Sequence, residues 1–217
     1  MKIKKLHYET VSDLLKTSLI KLMHLEEFKP FKLVGGTALS LQIGHRLSVD
    51  IDLFTDEPYG SIDFKQLEEV LKIHFEYVDS LSIPIIGMGK SFFIGDSPSN
   101  AIKLDVYYAD KFNYAPLILD AIRLIAIEDI IAMKMDVILQ NGRKKDFWDI
   151  HALLPFFTPE EMISFYEKRN PYTHDSNLLR QKLIDFEIAE NDFNPICLKN
   201  KHWELIKLDI YNFFNRC

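Results

Sequence analysis

Cysteine is scarce in this chain. Cys197 and Cys217 are the only two among 217 residues, so neither a disulfide framework nor a cysteine-rich zinc site is indicated, and a reducing, cytoplasmic compartment is expected. The seven histidines are scattered without ligand spacing. Positive charge is also short: 26 Lys and Arg against 32 Asp and Glu give a net charge of −6, which excludes a dedicated non-specific coat for nucleic acid and leaves only local basic patches. No long apolar run is present. The basic start, MKIKKLHYETV, lacks the apolar stretch of a signal peptide, and the segment AIRLIAIEDIIAMKMDVIL is interrupted by Arg123, Glu128, Asp129, Lys134 and Asp136. Neither export nor a membrane span is expected, and that segment reads as a buried helix. Hydrophobic residues, by contrast, make up 47% of the chain, enough for a core that folds on its own.

Helical spacing of Leu14, Leu15, Ile20, Leu22 and Leu25 predicts an amphipathic helix over 11–28, closed by Pro30. FKLV is a short strand candidate, Gly35–Gly36 a turn, and TALSLQIG a short helix capped by Thr37 and ended by Gly44. SVDIDLF is a strand by alternation, SIDFKQLEEVLKIHF is helical, and SIPIIGMGKSFFIG and SNAIKLDVYY read as two strands joined by a polar turn. From about Pro116 the pattern turns helical almost throughout. The expected architecture is mixed α/β, of the α+β class, over residues 1–115, followed by a helical unit over 116–217.

Alternate side chains of a strand share a face, so Asp50 and Asp52 are expected on one side and Val49, Ile51 and Leu53 on the other. Like charges roughly 7 Å apart along a strand repel unless a cation or a donor lies between them. Mg²⁺, a hard ion held by one or two carboxylates together with phosphate oxygens and water, meets that need, whereas two acids on a solvated strand need no ion. Asp105, in AIKLDVYY, offers a third acid. Beside the Asp50 strand it would complete the carboxylate patch of a two-metal nucleotidyl transfer, with Lys103 on its face as a neutralising charge.

Gly35 and Gly36 let backbone N–H groups and a helix N-terminus approach a phosphate, with Thr37 and Ser48 as hydroxyl donors; a plain turn is the alternative. No Walker A loop and no Rossmann fingerprint occurs. Lys134 shares an apolar helical face with Ile127, Ile130, Ile131 and Ile138, so it needs an anionic partner from protein or ligand. Arg143, Lys144 and Lys145 stand at the entry of the next helix, where they meet triphosphate, RNA or only solvent, while Asp146, Asp149 and Ile150 share a stripe. His45 and Arg46 are close enough in sequence to the acids to touch substrate, with packing the expected role of His45. Trp148 and Trp203 fit packing better than base stacking.

Taken in order, GGTALSLQIGHRLSVDIDLF, KLDVYY and KMDVILQNGRKKDFWDIHALL resemble the AbiEii/AbiGii family of nucleotidyltransferase toxins, and LIDFEIAENDFNPI looks like that family's closing segment. The resemblance implies a polymerase-β-like nucleotidyltransferase core with a helical C-terminal domain. It also implies Mg²⁺ as cofactor, transfer of a nucleoside monophosphate from an NTP to RNA (tRNA in some members) or protein, and an antitoxin partner within a toxin–antitoxin or phage-defence system. By the same resemblance Asp50 and Asp52 are the metal-binding D-x-D pair and Gly35 and Gly36 anchor the nucleotide. Asp105 takes the place of a third acid and metal ligand, and Lys134, Lys145 and Asp146 act on the nucleotide or in the chemistry. One departure stands out: Gly36 replaces the Ser of many nucleotidyltransferases, so a hydroxyl for the phosphates must come from Thr37 or Ser48 or be absent. Two other readings compete. A D-x-D glycosyltransferase would leave the Gly-Gly and Lys-Asp motifs unexplained, and a catalytically silent nucleotide-binding paralogue would act through a protein partner.

Overall fold

The computed structural model describes residues 3–80 and 88–215. Ser12 caps α1 (Asp13–His24) by accepting from the Leu15 N–H, and Leu15, Leu19, Leu22 and Met23 form its buried face. After Pro30 the chain enters β1 (Lys32–Leu33) and then α2 (Gly35–Ile43). Two expectations are corrected here. Gly35 and Gly36 form the first turn of α2 rather than a turn before it, and Thr37 does not cap the helix. The buried Thr37 hydroxyl instead donates to the Asp50 carbonyl at 2.5 Å and lies 2.8 Å from Ser48 Oγ. Gly44 does end the helix, at φ 65° in the left-handed region that glycine tolerates best.

Next come β2 (Ile51–Thr55), α3 (Phe64–His74), β3 (Tyr77–Ser80), β4 (Gly89–Ser97) and β5 (Asn100–Tyr108). The first half of the strand expected over 82–95 lies outside the described residues, and β3 has no counterpart in the sequence reading. Asp50 precedes β2 instead of lying in it. Val49 is therefore 70% exposed, not aligned with the buried Ile51 and Leu53.

The chain beyond Pro116 is not helical at first. β6 (Leu117–Leu119) and β7 (Ile122–Leu124) make a hairpin whose two turn residues, Asp120 and Ala121, both have positive φ, 51° and 64°. Arg123, which reads in the sequence as an interruption of a helix, donates from its guanidinium to the carbonyls of Phe31, Met23 and Phe28 and so binds β7 to the connection between α1 and β1. Only then do the helices follow: α4 (Ile127–Leu139), α5 (Lys144–Leu153), α6 (Pro159–Arg169), α7 (Ser176–Leu183) and α8 (Trp203–Phe214).

Among the described residues seven strands form one mixed sheet in the order β3-β4-β5-β2-β1-β7-β6. Parallel pairing joins β2 to β5 and β1 to β7, and the other neighbours are antiparallel. The sheet thus runs past the 115/116 boundary drawn from sequence. Ile51 and Leu53 of β2 bury on the same side as Leu104 and Val106 of β5, which turns Asp52 and Asp105 to the other side. On the helical side α4 is central, packing on α2, α5, α6 and α7, and one hydrophobic cluster is continuous from the sheet into these helices. Trp148 and Trp203 stack within it, ring centroids 6.0 Å apart and planes 8° apart. A further link closes the fold: Leu47 N–H donates to Ile196 O and Leu198 N–H to His45 O, each at 2.9 Å, around a bridge between Arg46 and Cys197. No helix among the described residues is long and apolar enough to cross a membrane.

Candidate active site

Parallel pairing of β2 and β5 sets Asp52 directly opposite Asp105, and antiparallel pairing of β4 sets Ser91 opposite Asp105 in turn. The condition set by the sequence, that the two acidic strands be neighbours, is met. Asp105 Oδ2 accepts from Lys103 Nζ at 2.5 Å, while its Oδ1 is buried without a partner. Asp52 is pushed up to about 6 from a usual 3.8, first by burial and then by the charges of Asp105 and Asp50, with Lys134 and Lys145 pulling the other way. Three carboxylates are therefore electrostatically coupled, and the coupling is unfavourable as the chain stands.

The first turn of α2 closes one side of this acid group. Gly35 has φ 67°, and a side-chain carbon placed there would come within 2.7 Å of Asp52 Oδ2; one at Gly36 would collide with Arg46 Nη2. Backbone thus reaches Asp52 only because position 35 is glycine, and glycine at 36 leaves room for the Arg46 guanidinium. The leading N–H groups of a helix have no partner within it, so the α2 N-terminus offers donors and a partial positive charge at this spot. Thr37 and Ser48, named from sequence as phosphate donors, bond to each other, and Thr37 spends its proton on the Asp50 carbonyl. Their observed work is to hold the Ser48–Asp50 segment in place.

Behind the glycines lies a buried charge cluster that the sequence reading only half anticipated. Asp149 receives Arg46 Nε at 2.6 Å and Nη2 at 2.9 Å, His45 Nε2 at 2.7 Å and Lys134 Nζ at 2.7 Å. Lys134 also donates to Asp146 Oδ1 at 2.7 Å, and Asp146 Oδ2 takes the Arg143 N–H that opens α5. Burial alone would raise the Asp149 pKa, but the charges of Arg46 and Lys134 and the His45 bond hold it well below the carboxylate range. Desolvation lowers His45, so the ring stands neutral between its neighbours. The anion that Lys134 required is thus supplied by the protein, twice. The signals for the cluster were Lys134 on an apolar face and Asp146 with Asp149 one turn apart on one helix; no sequence spacing pointed to Arg46 as the bidentate partner.

Lys144 and Lys145 part company. Lys144 turns inward, donating to the Asp192 carbonyl at 2.9 Å and lying over the Trp203 ring. Lys145 makes no ion pair among the described residues, and burial together with Arg143 and Lys134 lowers its pKa. It is a partly desolvated cation within electrostatic reach of Asp52 and free to meet an anion.

The donor set fits a hard divalent cation. Carboxylate oxygens at Asp50 and Asp52 are unshared with any lysine, Asp105 has a spare oxygen, and a cation would relieve the repulsion that raises Asp52. No three His, Cys, Asp or Glu side chains among the described residues gather tightly enough to hold an ion by themselves, so phosphate and water oxygens would have to complete its shell.

Comparison with known proteins identifies the fold and the family. MenT4, a nucleotidyltransferase toxin of Mycobacterium tuberculosis, shares the fold with a TM-score of 0.63 at 15% identity, over 94% of this chain and 84% of that one. JHP933 of Helicobacter pylori does so with a TM-score of 0.57 at 18% identity, over 94% and 88%. An uncharacterised protein of Aquifex aeolicus is 30% identical, with 93% of this chain and 92% of that protein aligned. The profile of the nucleotidyl transferase AbiEii toxins of type IV toxin–antitoxin systems matches residues 19–213, from within α1 to the end of α8, and the chain belongs to that family of nucleotidyltransferases.

Proposed function

We propose that this chain transfers a nucleoside monophosphate from a Mg²⁺-bound NTP to an acceptor hydroxyl on RNA, tRNA included, or on protein, in the cytoplasm, as the toxin half of a toxin–antitoxin or phage-defence pair. The observation that carries this reading is the acid pair, Asp52 opposite Asp105, set against a glycine-built helix N-terminus. Asp50 and Asp52 would hold Mg²⁺, which when bound supplies charge neutralisation on the triphosphate and polarises the phosphorus under attack. Gly35 and Gly36 let the phosphates approach the α2 N–H groups. Lys145 offsets negative charge on the phosphates as pyrophosphate leaves, and Lys134, paired to Asp146 and Asp149, ties α4 to α5 and so holds the entry of the helix that carries Lys145. The spare Oδ1 of Asp105 accepts the proton of the incoming hydroxyl or ligates a second ion. An antitoxin partner follows from the family.

The test is label transfer. The pure protein is incubated with each α-labelled NTP, Mg²⁺, total RNA and a protein extract, beside Asp52→Asn. Label entering RNA or protein only with the unsubstituted chain names both base and acceptor. Metal-dependent NTP binding with no transfer to any acceptor would favour the silent paralogue instead.

A further inference from the structure

A cavity of about 590 Å³ is lined from α5 by Trp148, His151 and Ala152, and none of Asp50, Asp52 and Asp105 lines it. Its walls are Ile43 at the end of α2, Leu154 and Phe156 beyond α5, and Phe213 of α8. That volume and apolar character are those of a small-molecule pocket. Two features give it chemistry. Lys199 and Lys201 line it, and neither makes an ion pair among the described residues. Both are positioned by Cys197, whose sulfur accepts their backbone N–H groups at 3.4 Å each. His45 is also in the wall, 3% exposed. Its Nε2 is committed to Asp149, and its Nδ1 is buried without a partner. With the ring neutral and Nε2–H donating to a carboxylate, Nδ1 is a bare acceptor that a bound N–H or O–H would satisfy.

We propose that this cavity is a binding site for a small apolar anion: an aliphatic or aromatic body seated on Leu154, Phe156 and Phe213, with an acidic group met by Lys199 and Lys201 and a hydrogen-bond donor for His45. Among the described residues Asp209 is the one acid in the wall, held by His151 Nε2 at 2.8 Å, and two lysines against one carboxylate leave the rim net positive. His45 joins the pocket to Asp149, and through it to Arg46 and Lys134, so the site abuts the active site from behind without sharing its acids. The inference does not rest on the transfer activity proposed above.

The probe is 8-anilinonaphthalene-1-sulfonate, which has an apolar body, one sulfonate and one N–H, titrated into the full chain and followed by its fluorescence. One saturable site per chain is expected. Ala152→Trp, which fills the cavity from α5, should abolish it while far-UV circular dichroism and melting temperature persist. Lys199→Glu with Lys201→Glu should weaken it by about tenfold or more, while the uncharged N-phenyl-1-naphthylamine binds these variants and the parent alike. Should Ala152→Trp misfold, Phe156→Asp, at a half-exposed rim position, provides the same reading through charge repulsion. Probe binding that survives both the filled cavity and Phe156→Asp in folded protein, or that ignores the lysine reversals, overturns the proposal.

Discussion

Asp52 and Asp105 are register partners on adjacent parallel strands: burial first, and then the charge of Asp105, push Asp52 up to about 6, while Asp105 keeps an oxygen buried with no partner. Between about pH 4 and 6 the folded chain holds a proton at Asp52 that the unfolded chain releases, so this group favours folding below that window and the advantage is lost as pH rises through 6. Asp52→Asn should therefore raise the urea midpoint at pH 7.5, by on the order of 3 kcal/mol in free energy, and give little gain at pH 4. The same variant should lose label transfer. Equal midpoints for the two proteins at pH 7.5 would show that the repulsion is already relieved.

Asp149 is the one carboxylate that Arg46, His45 and Lys134 all share. Asp149→Ala strands the buried Arg46 and leaves Lys134 with Asp146 alone, and a cost of about 3–5 kcal/mol is expected from chemical denaturation. Asp146→Asn, which leaves Lys134 paired to Asp149, should cost well under half of that.

Gly35 combines positive φ with contact to a catalytic candidate. Gly35→Ala should cost about 1–2 kcal/mol for the left-handed backbone and also displace the Asp52 carboxylate, so transfer should fall far more than stability. Gly60, also at positive φ but with nothing within 4 Å, is the control: Gly60→Ala should show the stability cost without loss of transfer.

Lys145 and Lys134 separate binding from folding. Lys145→Met removes an unpaired, partly desolvated cation, so the melting temperature should hold or rise while NTP affinity, by isothermal titration, drops about tenfold. Lys134→Met should instead unfold the protein at lower urea, because Asp146 and Asp149 both lose a donor. A stability loss in the Lys145 variant would reveal a structural role.

Much of the site was legible because strand parity is strict. Once Ile51, Leu53, Leu104 and Val106 are buried, Asp52 and Asp105 must share the opposite face, and only the adjacency of their strands was left to topology. The β6–β7 hairpin was hidden because its strands are three residues long and its turn uses Asp and Ala, not the glycine that advertises positive φ. Thr37 was misassigned for a related reason. A threonine near a helix start looks like a cap, but α2 begins two residues earlier and the hydroxyl bonds to a segment eleven residues or more downstream. The three-way sharing of Asp149 lay beyond any local pattern, since His45 and Arg46 are about a hundred positions away from it.

The pairing of residues 45–47 with 196–198 has a consequence for synthesis. Chains are made from the N-terminus, and early segments fold as they emerge. The stretch that leads into Asp50 nevertheless acquires its hydrogen-bonding neighbour, and His45 and Arg46 acquire Asp149, only when much later residues have been translated. A nascent or prematurely terminated product would carry the sheet and its acids without the support that orders them.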